Sequence, residues 1–280
     1  MKASMDCYVC LIGQAITAAR QVEADEPTQF RIVNRVLKEL VDFNPDKTPA
    51  VIADFAHRFT RQETGVVDPF REAKQRATQE ALALYPHLNQ LVKNAVDPFE
   101  TAVRLAIAGN ILDLALLKNI DLEKNIDQAL RVPLAIDHMA GLRQAIEQAE
   151  WVLYLADNAG ETVFDRLLIE HIAPKPVKYV VKGGPASNDA TMQDAVEAGL
   201  DQVAEIVTTG YDSVGIVLDH SSPEFIDLFK TAPLIILKGM GNFESVNLTD
   251  ERMFFLLQVK CDAIANFLKV AKKGNVVLQG

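Results

Sequence analysis

The chain has 280 residues, 49% of them hydrophobic, and 28 Lys and Arg against 38 Asp and Glu, for a net charge of −10. That is enough chain for a substantial core and two structural units. The acidic balance argues against a nucleic-acid binder, which needs a basic face, but leaves room for a cationic pocket around one small anion. The opening residues MKASMDCYVCLIGQ are broken by Asp6 and Gln14 and do not read as a signal peptide. No uncharged apolar run reaches the roughly 18 residues of a membrane span. The expectation is a cytoplasmic protein with no membrane partner.

The first half reads as helices. Residues 4–23 carry apolar groups at helical spacing and are punctuated by Asp25, Glu26 and Pro27. Phe30 to Phe43 repeats the pattern up to Asn44-Pro45-Asp46. Residues 48–64 follow with Thr48 as cap and Pro49 at the first helical position. Pro69 opens another helix to about Tyr85, and Asp97-Pro98 opens one over 97–117.

The second half changes rhythm. WVLYLA (151–156), VKYVVK (177–182), VAEIVTT (203–209) and LIILK (234–238) are short apolar runs separated by helical stretches at 161–172, 189–199 and 222–230. RMFFLLQVK (252–260) and NVVLQ (275–279) add final strands, and FLKV (267–270) belongs to a closing helix. Apolar runs alternating with helices predict a mainly parallel sheet covered on both faces. The expected organisation is a helical domain over 1–145 and an α/β/α domain over 146–280.

In such a sheet, ligands bind beyond the carboxyl ends of the strands. Those ends carry Asp157-Asn158-Ala159-Gly160-Glu161, Gly183 to Asp189, Gly210-Tyr211-Asp212-Ser213, and Lys238-Gly239-Met240-Gly241-Asn242-Phe243-Glu244. Asp, Asn and Gly are also ordinary turn and cap residues, so one such loop carries no message; four at one edge do. Asp157, Asn158 and Asp189 offer the oxygen ligands that suit Mg²⁺ or Mn²⁺, with Co²⁺ or Ni²⁺ as further options. Lys238 would neutralise phosphate oxygens, while Gly239 and Gly241 would let backbone N–H groups approach an anion. The Asp-x-Asp-x-Thr pattern of aspartyl-phosphate hydrolases is absent after the first strand. The dinucleotide fingerprint lacks its third Gly, and there is no Gly-x-Ser-x-Gly elbow.

These residues resemble the damage-control phosphatase family, formerly grouped as a domain of unknown function. The likeness runs through Cys7-x-x-Cys10, Asp68-Pro69-Phe70 to Lys74, Ala106-Ile107-Ala108-Gly109-Asn110-x-x-Asp113 and Asp157 to Glu161. It continues through Gly183 to Thr191, Ser222-Pro223-Glu224-Phe225, Lys238 to Glu244, and Val259-Lys260-Cys261. The resemblance implies a Rossmann-like second half, a divalent metal on Asp157, Asn158 and Asp189, and hydrolysis of phosphate monoesters of small metabolites such as sugar phosphates. The N-terminal Cys-x-x-Cys resembles the prokaryotic branch. Asp157, Lys238 and Glu244 are the catalytic candidates. Glu161, Asn188, Ser222, Gly239, Gly241, Asn242 and Asn110 are the candidates for substrate contact. A sensor that binds a phosphorylated ligand without turnover and a nucleotide-dependent enzyme using residues 239–244 are the competing readings.

Cys7, Cys10 and Cys261 lack a second Cys-x-x-Cys and read as small buried hydrophobes rather than a zinc site. Arg71, Lys74 and Arg76 read as a solvated face. Of the five histidines, only His220, beside Asp219, stands out; His57 and the rest read as surface or satisfied residues.

Overall fold

In this computed structural model of the chain, residues 2–44, 46–111, 122–246 and 248–280 are described. The expected helical stretch over 112–117, and Asp113 with it, lies outside them. Helices α1 (Met5–Gln21), α2 (Glu26–Val41) and α3 (Pro49–Thr64) come first. The Asp25 carboxylate caps α2 by accepting from Thr28 N at 2.9 Å, and Thr48 with Pro49 opens α3. Leu11, Ala15, Ile32, Val36 and Leu40 fill a core of their own between these three helices.

Helix α4 (Arg71–Asn94) passes the expected end at Tyr85 and continues through Pro86. Proline removes a helix N–H and disfavours the interior. Leu88 and Val92 are nevertheless buried beyond it, so tertiary packing carries the helix onward. Helix α5 (Pro98–Ala108) starts at the predicted Asp97 cap. Helix α6 (Leu122–Arg131), the short strand β1 (Ile136–Asp137) and helix α7 (Met139–Gln148) lead into the main sheet.

Strands β2 (Val152–Leu155), β3 (Val177–Val181), β4 (Glu205–Thr208), β5 (Ile235–Lys238), β6 (Met253–Gln258) and β7 (Asn275–Gln279) complete a sheet of order β1-β7-β6-β5-β2-β3-β4. Every neighbouring pair is parallel except β6 with β7. Helices α8 (Thr162–His171), α9 (Met192–Glu197), α10 (Pro223–Thr231), α11 (Gly239–Ser245) and α12 (Asp262–Leu268) connect the strands. The fold is the expected α/β class with a mainly parallel sheet.

Alternation within the strands sorts two cores. Leu153, Leu155, Ile235, Leu237 and Phe255 meet Phe225 and Phe243 on one face. Tyr154, Ile236, Phe254 and Leu256 meet Leu88, Phe99, Leu105 and Leu168 on the other. Each such side chain contributes about 1.5–3 kcal/mol when buried. This second core crosses the expected division at residue 145, because α5 packs on β6 and α4 packs on α5 and α8. No helix among the described residues is long and apolar enough to cross a membrane.

The connection order matters for the site. From β2 the chain builds outward through β3 to β4, then returns to the other side of β2 for β5 and β6. The carboxyl ends of β2 and β5 therefore flank a topological switch point, where a crevice opens between diverging loops.

Candidate active site

Asp157 follows β2, and Gly239 follows β5, directly across the switch point. Gly239 has φ 74°, and a Cβ there would lie 2.0 Å from Asp157 Oδ2. Only glycine tolerates both the backbone and the approach. The loop after β3 is tied to the same place. Ala190 N donates to Asp157 O at 2.8 Å, Ala159 N donates to Asn188 O at 2.9 Å, and Asn158 pairs with Asp189 in an antiparallel bridge. Asp157, Asn158 and Asp189 are thereby neighbours, although they come from two loops.

A buried polar network supports them. Asn158 Nδ2 donates to Asp157 Oδ2 at 2.9 Å and to Glu161 Oε1 at 2.6 Å. Asn110 Nδ2, from the end of α5, donates to Asp157 Oδ2 at 3.1 Å and also to Glu161. Lys238 Nζ donates to Glu161 Oε2 at 3.1 Å and to Asp165. Asp165 in turn accepts from the Tyr154 and Tyr179 hydroxyls at 2.8 and 2.7 Å. Glu161, Asp165 and Lys238 are 0% exposed. Burial pushes the Glu161 carboxyl up, against the pull of Lys238 and Lys260. Burial also pulls Lys238 down, but the Asp165 and Glu161 carboxylates outweigh it and hold its ammonium above the ordinary lysine range.

A cavity of about 530 Å³ opens over this edge, lined by Asp157, Asn158, Glu161, Asn188, Asp189 and Gly241 among others. Of the six sequence candidates off this wall, Asn110 and Gly239 approach Asp157 directly and four sit elsewhere. Lys238 is not on its wall: enclosed beneath the site and matched by two carboxylates, it holds Glu161 rather than facing an anion. Ser222 caps α10, its Oγ accepting from Phe225 N at 3.2 Å. Asn242 is buried and donates to the Ala156 and Lys238 carbonyls at 2.9 and 2.8 Å. Glu244 lies on α11 near Cys10 and Cys261, and burial pushes its carboxyl up to about 7. The segment 239–244 expected as a loop is helical from Gly239 onward, directly after β5.

Other side chains depart from expectation. Lys74 is not on a solvated face: it lines the cavity, buried between Asp68 and Asp194 at 2.8 and 2.9 Å. Cys10 is exposed and Cys7 and Cys261 are half-buried, all three as free thiols; Cys10 and Cys261 line the cavity. His220 stacks edge-on against Tyr211 with centroids 4.9 Å apart, away from the cavity wall. His57 is the histidine that sequence reasoning passed over. It lines the cavity at 4% exposure, and neither ring nitrogen has a hydrogen-bond partner among the described residues. Leaving such a group unpaired costs about 1–3 kcal/mol. A lone His in an amphipathic helix gives no sequence signal of this.

The donor chemistry fits a hard divalent cation. Asp157 and Asp189 contribute carboxylates, and Asn158, whose Nδ2 already donates to Asp157 and Glu161, has its carbonyl oxygen left as the ligand atom. Among the described residues no three His, Cys, Asp or Glu side chains converge as a metal cluster, so the fit rests on this mixed set and not on the cysteines.

The profile of the Damage-control phosphatase ARMT1-like domain matches residues 3–276. A damage-control phosphatase of Pyrococcus horikoshii is 34% identical, with 100% of this chain and 98% of that protein covered. One of Archaeoglobus fulgidus is 34% identical over 96% of each. The crystal structure of a DUF89-family protein from Pyrococcus horikoshii superposes with a TM-score of 0.90 at 32% identity, covering 100% of this chain and 99% of that one. The chain belongs to the damage-control phosphatase ARMT1-like family.

Proposed function

We propose that the chain is a metal-dependent phosphatase of small phosphorylated metabolites, sugar phosphates or damaged phosphometabolites, of the prokaryotic type marked by Cys7 and Cys10. The observation that carries this reading is the meeting of Asp157, Asn158 and Asp189 at the switch point, on the wall of a cavity that lysines also line. Asp157, Asn158 and Asp189 would hold Mg²⁺ or Mn²⁺. A divalent ion supplies charge neutralisation and phosphoryl polarisation when bound.

The chain's own groups do the rest. Water adds to phosphorus and gives up one proton as the ester P–O bond breaks, and that proton passes on to the leaving alkoxide, so that an alcohol and inorganic phosphate form. Asp157, held by the Asn110 and Asn158 amides, orients the water and accepts its proton at Oδ1. Lys260 lines the cavity close enough to draw on Glu161, and it takes the anion-facing role expected of Lys238. Lys238 and Asp165 keep Glu161 in place beneath.

The test is phosphate release from a panel of monoesters by chelator-treated protein, with single divalent metals added back. The reading expects release to vanish on chelation and return with Mg²⁺ or Mn²⁺. Release that is indifferent to chelation would sink the metal requirement. Ligand binding with no release would make the site a sensor.

A further inference from the structure

The cavity is far larger than the chemistry needs. Its volume is about 530 Å³, against roughly 30 Å³ for a water in the liquid, so a phosphoryl group at Asp157 leaves most of it for another part of the ligand. That remainder is walled by the helical domain. Cys10, Gly13, Gln14, Thr17 and Gln21 form one stripe of α1, and Phe70, Ala73 and Ala77 face them at the start of α4. Gly13 has nothing within 4 Å of the place a Cβ would take, so the wall is open there.

The polar groups of this compartment are mostly engaged. Thr17 Oγ1 donates to Gly13 O at 2.9 Å, Gln14 Nε2 donates to Cys10 Sγ at 3.5 Å, and Lys74 is held by Asp68 and Asp194. His57 differs: it is buried on this wall with both nitrogens unpartnered among the described residues, its ring edge-on to Phe70 with centroids 5.8 Å apart. No described residue provides an acceptor or donor for it, so a ligand in the cavity is the partner to test. Burial, with the Arg61 charge nearby, pulls the imidazole down to about 4. It is therefore neutral near pH 7 and presents one donor and one acceptor. An alcohol hydroxyl, itself both donor and acceptor, matches that pair.

We propose that His57 is a specificity residue, pairing with a hydroxyl on the alcohol portion of a phosphate monoester whose phosphate sits at Asp157. This rests on the phosphatase reading. It adds which neutral leaving groups the cavity prefers and which side chain selects them.

The test compares hydroxylated and alkyl monoesters of matched carbon number: glycerol phosphate against propyl phosphate, and sorbitol phosphate against hexyl phosphate. Wild-type protein and His57→Leu are assayed for kcat and KM, with the thermal shift that each compound produces. The wild type favours the hydroxylated member of at least one pair by roughly tenfold in kcat/KM, as one hydrogen bond to a buried group allows. His57→Leu brings that ratio close to one, mainly through KM, while its own Tm stays at or above wild type because an unpaired polar group is gone. His57→Gln, which keeps a donor and an acceptor, recovers part of the ratio. No preference in the wild type, or equal losses on both members with a lowered Tm, makes His57 a packing residue and overturns the proposal. If no compound is hydrolysed, the phosphatase reading fails. The thermal shifts then decide on His57 alone: a hydroxyl preference lost in His57→Leu upholds the subsite, and no preference removes it.

Discussion

Gly239 shows how closely single residues are held at this site. Its φ of 74° and the 2.0 Å between a would-be Cβ and Asp157 Oδ2 leave alanine no place. The left-handed backbone alone costs a non-glycine residue about 1–2 kcal/mol, and the carboxylate must also shift. Gly239→Ala is expected to lower stability by at least that amount and phosphate release by at least about tenfold, read by denaturant melts and initial rates. Glu244 carries a pH prediction. Folding raises its carboxyl from 4.5 to about 7. A carboxyl raised on folding favours the folded state while protonated, and that advantage is lost as pH rises through the folded value. Stability should therefore fall between pH 4.5 and about 7, and Glu244→Gln should flatten that slope and melt higher than wild type at pH 8. Melting curves across pH would refute this if both proteins showed the same slope. Asp157, Asn158 and Asp189 were legible in the sequence because each follows an apolar strand run where ligand loops belong. His57 was not, because burial without a partner is a property of packing that no local pattern encodes.

At the scale of elements, strands β2 to β7 were legible as apolar runs of the right length. Helix α4 exceeded its reading because Leu88 and Val92 outweigh Pro86. Helix α11 reads as a loop in the sequence because Gly239 and Gly241 look like breakers, yet they make close contact with Asp157 and the Val214–Gly215 segment instead. Lys238 departs from its sequence expectation for a related reason. A lysine ending an apolar strand looks solvent-facing, and its partner Asp165 sits on α8, far away in sequence. The lysine bridges β5, the short 3₁₀ turn Ala159–Glu161 and α8, so it joins elements that pattern reading treats separately. Lys238→Met leaves two buried carboxylates without their cation and should destabilise the protein by about 3–5 kcal/mol. A loss under 1 kcal/mol in urea melts would show that the network is not held by that charge.

Over the whole molecule, the sheet places the chemistry and the helical half closes over it. Arg58 donates to the Tyr211 hydroxyl at 3.0 Å, Arg61 pairs with Asp212, and Asp54 accepts from Val214 N at 2.9 Å. These links fasten α3 to the loops after β4, so α1 and α3 become walls of the cavity. An α/β sheet with loops at one edge, and Asn110 as a contact from the helical half, were legible in the sequence; His57 on the cavity wall was not. Such contacts join residues on opposite halves of the chain and leave no periodic trace. The central claim is that Asp157 and Asp189 at the switch point carry phosphate release. It is tested most directly by the initial rates of Asp157→Asn and Asp189→Asn on the preferred monoester with Mn²⁺ restored, alongside their circular dichroism melts. The account predicts rates lower by about 100-fold or more in proteins that still melt cooperatively; folded variants within a few-fold of wild type would contradict it.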